Sequence, residues 1–143
     1  MPTPVSSLRV LMMVVGGIQA VLGLALVTNS VAIAQAIWGE DDTSSTYYSP
    51  EGEAHSGTVV FIGILVLAIA AWGTLTALKF PTRLPAVRNS AIAYGWTALA
   101  FKIAVWAVAP ILVLNLLGLV VAILLIVRPN QPECRVWFGY QGR

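Results

Sequence analysis

Lys102 is the side chain whose chemistry is hardest to reconcile with its surroundings. It stands inside the apolar stretch Asn89–Ala109, and on an α-helix rising about 1.5 Å per residue it lies roughly 20 Å from the start of that stretch. An ammonium held at such depth in hydrocarbon costs about 3 kcal/mol on insertion scales, which marks the position as a candidate polar site. Helical spacing puts Ala91, Gly95, Ala98, Lys102, Val105 and Ala109 on one stripe. Stripes of small residues are where membrane helices touch, so Lys102 is expected to face another helix and not lipid. Asn115, at a matching depth on the next apolar segment, is the nearest polar group expected inside the bundle. Glu40, Asp41, Asp42 and Glu53, from the acidic loop and the helix start after it, are the acids that could fold down to pair with Lys102. The competing account is snorkelling, in which the aliphatic stem carries the ammonium to the nearer headgroups and no site exists.

The remaining polar residues carry weaker signals. Glu40-Asp41-Asp42 could bind a divalent cation through carboxylate oxygens, but the alternation of ligands found in an EF-hand loop is missing. A solvated acidic loop is the simpler reading, and no metal site is assigned. His55 is the one histidine, and a lone imidazole without a spaced second ligand reads as an interfacial polar residue. Gln19, midway along the first apolar segment, is expected to hydrogen-bond between helices for about 1 kcal/mol. Trp72 and Trp96, at equal depth on two segments, are expected to fill a core. The sequence holds no paired histidines for a haem, no Cys-x-x-Cys, no intramembrane carboxylate and no Ser/His/Asp pattern. No cofactor is expected, and the reading leans away from an enzyme.

Composition says what must position these residues. Of 143 residues, 58% are hydrophobic and 10% charged, with a mean hydropathy of +0.84. A soluble domain carries about a quarter charged residues, so the expected solvent is lipid. A net charge of +2, spread over loops and ends, excludes a nucleic-acid footprint. Cys134, the single cysteine, cannot form an intramolecular disulfide.

Four apolar segments predict an all-α membrane protein, a four-transmembrane-helix antiparallel bundle in a single domain. The first span covers about 10–30 with a possible extension to 38. At about 43 Å the whole run exceeds a hydrocarbon core of about 30 Å, so it must tilt, protrude or break near Thr28-Asn29-Ser30, where Asn29 could cap a short second helix. A signal peptide is the alternative for this region; the apolar run from Val10 to Val27 exceeds the usual h-region of about 7–15 residues, which favours a retained helix. An acidic loop, 39–56, contains every acid but Glu133, and Ser49-Pro50-Glu51 has the order of a helix start. The second span covers about 57–78, a basic loop 79–88, the third span 89–109, the fourth 111–127 and the tail 128–143. Lys and Arg gather at Arg9, at Lys79–Arg88 and in the tail, while 39–56 has none. The positive-inside rule then places both termini in the cytoplasm of a multi-pass cell-membrane protein. Trp38 and Trp106, with Tyr47 and Tyr48 beyond, fall near the outer interface.

Each span carries a pair of small residues four apart: Gly16 and Ala20, Gly73 and Ala77, Ala91 and Gly95, Gly118 and Ala122. All lie nearer the basic ends, so the tightest packing is expected in the inner half of the bilayer, with more room around Lys102 and Asn115. Ordinary helix packing without a cavity is the plainer outcome. The aromatic tail with Arg135 and Arg143 is expected to lie along the inner leaflet or to dock on a partner.

These features predict a non-catalytic protein that works by helix association, as an accessory or stabilising subunit or a small homo-oligomer. Its partners are the lipid bilayer and either another membrane protein or itself. The alternative is a small oligomeric transporter or channel with Lys102 and Asn115 at an outer vestibule. A membrane enzyme acting on lipid or isoprenoid is the third reading and rests on no motif.

Overall fold

The computed structural model describes the backbone of residues 3–38, 50–108 and 112–139 and the side chains of 3–37, 55–104 and 118–139. The described residues are all-helical, with no strand among them. Helices run over Thr3–Thr28 (α1), Ser30–Trp38 (α2), Pro50–Leu78 (α3), Pro85–Val108 (α4), Leu112–Val127 (α5) and Pro132–Trp137 (α6). Short 3-10 turns occupy Phe80–Thr82 and Arg128–Asn130. Among the described residues two helices are long and apolar enough, by length and composition, to cross a membrane, Thr3–Thr28 and His55–Thr82.

α1 begins well before the apolar run. Pro4 near its first position is compatible with a helix start, because the missing N–H would be unsatisfied there anyway. Val5, Leu8 and Met12, spaced i, i+3 and i+7, form a fully buried stripe that gives the polar lead a reason to be helical. The expected break at Thr28-Asn29-Ser30 is slight. The Asn29 N–H donates to Ala25 O at 2.9 Å and the Ile33 N–H to Asn29 O at 3.0 Å, so the ladder is carried across. Asn29 turns its amide toward α1, with Nδ2 donating to Ala25 O at 3.2 Å and Thr28 Oγ1 at 3.0 Å. It therefore closes α1 rather than capping α2.

α3 starts at Pro50, as Ser49-Pro50-Glu51 predicts. It ends where the Lys79 N–H is shared between Leu75 O and Thr76 O, at 3.2 and 3.1 Å. The 3-10 turn that follows finishes on Arg83 in the left-handed region, φ 57°, a conformation costing a non-glycine residue about 1 kcal/mol. Pro85 then opens α4.

The chain divides into two compact units, Met1–Gly16 with Trp72–Arg143, and Gly17–Ala71. In the first, α4 packs along α5, and Phe80, Tyr94, Leu125, Phe138 and the α1 stripe are fully buried. In the second, Gly23 of α1 meets Gly63 of α3. A Cβ on either would come within 3.0 Å of the other's carbonyl oxygen, so the two backbones are in contact. Large apolar side chains in this unit point outward, Val21 at 70% and Phe61 at 61% exposure.

Candidate functional site

Lys102 lies against α5, as its small-residue stripe predicts. A Cβ on Gly118 would fall 2.7 Å from Lys102 Cε and 2.8 Å from Nζ, so the ammonium occupies the space that the missing side chain leaves. The side chain is half-buried, and no described residue accepts a hydrogen bond from it. The α4–α5 pairing is what makes this slot. One turn or more toward the basic end, Ala98 of α4 and Ala122 of α5 are buried, and Gly95 lets the helices close further, since a Cβ there would meet Ile126 Cγ1 at 2.9 Å. Asn115 belongs to α5 three residues before Gly118, but its side chain is outside the described residues.

The α3–α4 contact is built from polar and aromatic groups. Gly73 receives the face of the fully buried Tyr94, whose Cε2 would be 2.6 Å from a Cβ at that position. Trp72 stands edge-on to the same ring, with centroids 6.1 Å apart at 87°, and donates from Nε1 to Ser90 Oγ at 2.9 Å. Thr76 Oγ1 donates to Trp72 O at 2.9 Å and shares a 2.9 Å contact with Ser90 Oγ. Each hydroxyl buried here thus has a partner, as burial in an apolar setting demands. Trp72 is half-exposed and Trp96 is 57% exposed, so neither fills a core as expected. The register of α4 gives the inward position to Tyr94, two residues away, and turns Trp96 out.

The basic end is closed by the tail. Arg88, 7% exposed, donates from Nε to Pro129 O at 2.9 Å and from Nη2 to Asn130 Oδ1 at 2.7 Å. Asn130 Nδ2 in turn donates to Ile126 O at 2.9 Å, the last turn of α5. Phe138 packs edge-on against Phe80, centroids 5.5 Å apart, and Arg83 lies 4.1 Å over the Trp137 ring, which offsets the strain at Arg83. Arg128 Nη1 donates to Ser7 Oγ on α1. The tail thus folds onto its own chain as far as Gly139, while Tyr140 and Arg143 lie outside the described residues. Phe138 is buried and Trp137 half-buried beside the 3-10 turn. Burial pushes the Cys134 thiol above its ordinary pKa, and Glu133 adds to the shift, while Arg88 and Arg128 oppose it.

Of the other expected residues, Gly16 is buried and Ala20 half-buried on α1, Gln19 is half-buried there, and His55 is exposed on α3. Ala77 and Ala91 are fully buried within the first unit. Glu40, Asp41 and Asp42 lie outside the described residues, as does the side chain of Glu53. The same holds for the side chains of Trp38 and Trp106 and for Tyr47 and Tyr48. The close contact of Gly23 with Gly63 lies farther along α1 and α3 from Arg9 and Lys79 than the paired small residues do, so close backbone approach is not restricted to those pairs. Sequence spacing offered one cue to it, because Gly23 follows Gly16 by a heptad on the same face. Arg88 was legible only as a loop charge; its role as the acceptor-bound cation under the tail depends on a contact between distant segments.

No protein-family model, no curated protein and no solved structure matches the chain.

Proposed function

We propose that the chain is a four-span membrane protein with both termini in the cytoplasm, working without catalysis as an accessory or stabilising subunit or as a small homo-oligomer. The observation that carries this reading is the outward run of large apolar side chains along α1 and α3. Val14, Ile18, Val21 and Leu22 on one helix and Phe61, Ile64 and Leu65 on the other are all at least 40% exposed. Large apolar side chains exposed in this number call for cover by lipid or by another helix. The charge asymmetry supports the orientation, with Lys79 and Arg83 on one connection, Arg88 in the first turn of α4 after it, and no cation in 39–56. α4 and α5 would then be the third and fourth spans.

Purification in mild detergent followed by native mass spectrometry tests association. A defined partner or a fixed homo-oligomer is the expected result, and a protein that is a lone monomer at every concentration overturns it. Cysteine-accessibility labelling at engineered positions in 39–49 and in the tail tests the orientation, with opposite-sided labelling expected.

The Lys102 slot supports a second reading, a small oligomeric transporter or channel with an anion-binding vestibule. Liposome flux of the wild type against Lys102→Ala separates the two. Equal and negligible flux leaves association alone standing.

A further inference from the structure

At the basic end of the first unit, α1 and α5 leave an open cleft of about 460 Å³ between them, within the range of small-ligand sites, about 300–1,000 Å³. Its two ends differ in chemistry. At one end stand Ser6, Ser7 and Arg128; beyond them Val10, Val14 and Leu124 line the cleft. Ser7 to Val14 is about two turns of helix, or roughly 10 Å, so polar gives way to apolar along the axis of α1. The polar end is prearranged. Ser7 Oγ donates to Pro4 O at 3.0 Å and accepts from Arg128 Nη1, which fixes the guanidinium at the mouth of the cleft. A guanidinium has five N–H donors, and among the described residues Arg128 finds this one acceptor, Ser7. Val10 and Val14, 59% and 53% exposed, keep the apolar end uncovered by the chain itself.

A cation whose other donors meet no acceptor among the described residues, set at the end of an apolar cleft, is complementary to a molecule with an anionic head and a hydrocarbon tail. We infer that this cleft seats an anionic phospholipid, its phosphate on Arg128 and one acyl chain along Val10, Val14 and Leu124. Arg is suited to the task because its planar fork meets two phosphate oxygens at once. The inference rests on the reading that α1 crosses a bilayer, and on neither the orientation nor the oligomeric state.

The test uses the full chain in nanodiscs of phosphatidylcholine with a minority of phosphatidylglycerol, released into native mass spectrometry so that retained lipid is weighed. The wild type is expected to retain phosphatidylglycerol over phosphatidylcholine by about tenfold, because both lipids carry a phosphate but the choline ammonium neutralises the second headgroup and repels Arg128. Arg128→Gln should bring the preference near parity, and Val14→Trp, which fills the channel from its open side, should lower retention of both lipids. A folded Arg128→Gln protein, judged by circular dichroism, that keeps the preference overturns the inference. Should that variant not fold because the Ser7 contact is lost, Val14→Trp decides, and undiminished phosphatidylglycerol retention overturns it. Displacement of the lipid by soluble glycerol phosphate would show a phosphate site without a chain contact and would also overturn it. A chain that alkaline carbonate extracts from membranes would remove the membrane reading itself, whereas a carbonate-resistant chain with no lipid preference removes the cleft alone.

Discussion

Arg88 and Lys102 stand near opposite ends of α4 and both turn toward the chain that follows, yet the α4–α5 pair treats them differently. Arg88 is buried and bound by Pro129 O and Asn130 Oδ1, acceptors that are themselves fixed at the end of α5. Lys102 rests over Gly118, in space that exists because a side chain is absent, with no acceptor among the described residues. A charge tied to fixed acceptors determines geometry, since moving it leaves buried acceptors and an uncompensated cation. A charge lying in a slot determines little and can leave along its flexible stem. At the basic end the charge is thus placed by its acceptors, and at the Lys102 level the described contact is the space over Gly118.

The comparison breaks most readily at the basic end. Phe138→Ala removes a fully buried ring from Phe80 and should destabilise the chain by about 3–5 kcal/mol, read by denaturant unfolding in mild detergent. A loss under 1 kcal/mol would mean that the tail is not part of the folded unit. Arg88→Met keeps the stem and removes the donors to Pro129 O and Asn130 Oδ1, with an expected loss of about 2–3 kcal/mol from the unmet acceptors. If Arg88→Met and Lys102→Met cost the same, the contrast between the two ends is gone.

How much of this was legible depends on whether a feature is local. The helical class, the start of α3 at Pro50 and the inward stripe Ala91–Gly95–Ala98–Lys102 all follow from period and capping chemistry within one segment. The contact of Lys102 with α5 was legible for the same reason. The tail was not, because Phe138 is buried against Phe80 and Trp137 half-buried under Arg83, and no periodicity in one segment reports a contact made by another. Trp96 shows the same limit in reverse. Its size suggested a core position, but the face of α4 that meets α3 is fixed by Gly73 receiving Tyr94, and a tryptophan two residues on must point elsewhere.

Smaller effects sharpen the picture. Gly73→Ala places a methyl 2.6 Å from an immobile ring, so overpacking should cost about 1–3 kcal/mol, relieved in the Tyr94→Leu background. Cys134 supplies a pH test of the tail. Its thiol pKa is raised in the folded chain, so the folded state holds the proton to higher pH than the unfolded one. The stability this gives is complete below the unfolded thiol value, about 8.5, and declines as pH rises from there through the raised folded value. Unfolding midpoints between pH 7 and 10 should show that decline in the wild type and lack it in Cys134→Ala. A matching decline in both would assign it to other groups.

The smallest change is expected at Gly118, although the contact there is nearly as short as at Gly73. A new methyl would stand 2.7 Å from Lys102 Cε, but that atom is near the tip of a long side chain and can swing away. Alanine also gains about 1 kcal/mol over glycine in a helix interior, which offsets the repacking. Gly118→Ala should leave stability within about 1 kcal/mol of the wild type while driving the ammonium out of its slot, so that Lys102 reacts faster with a water-soluble acylating reagent. A loss of 2 kcal/mol or more with unchanged acylation would show the ammonium bound in place. Lys102 would then resemble Arg88, a charge fixed by its acceptors rather than by the space around it.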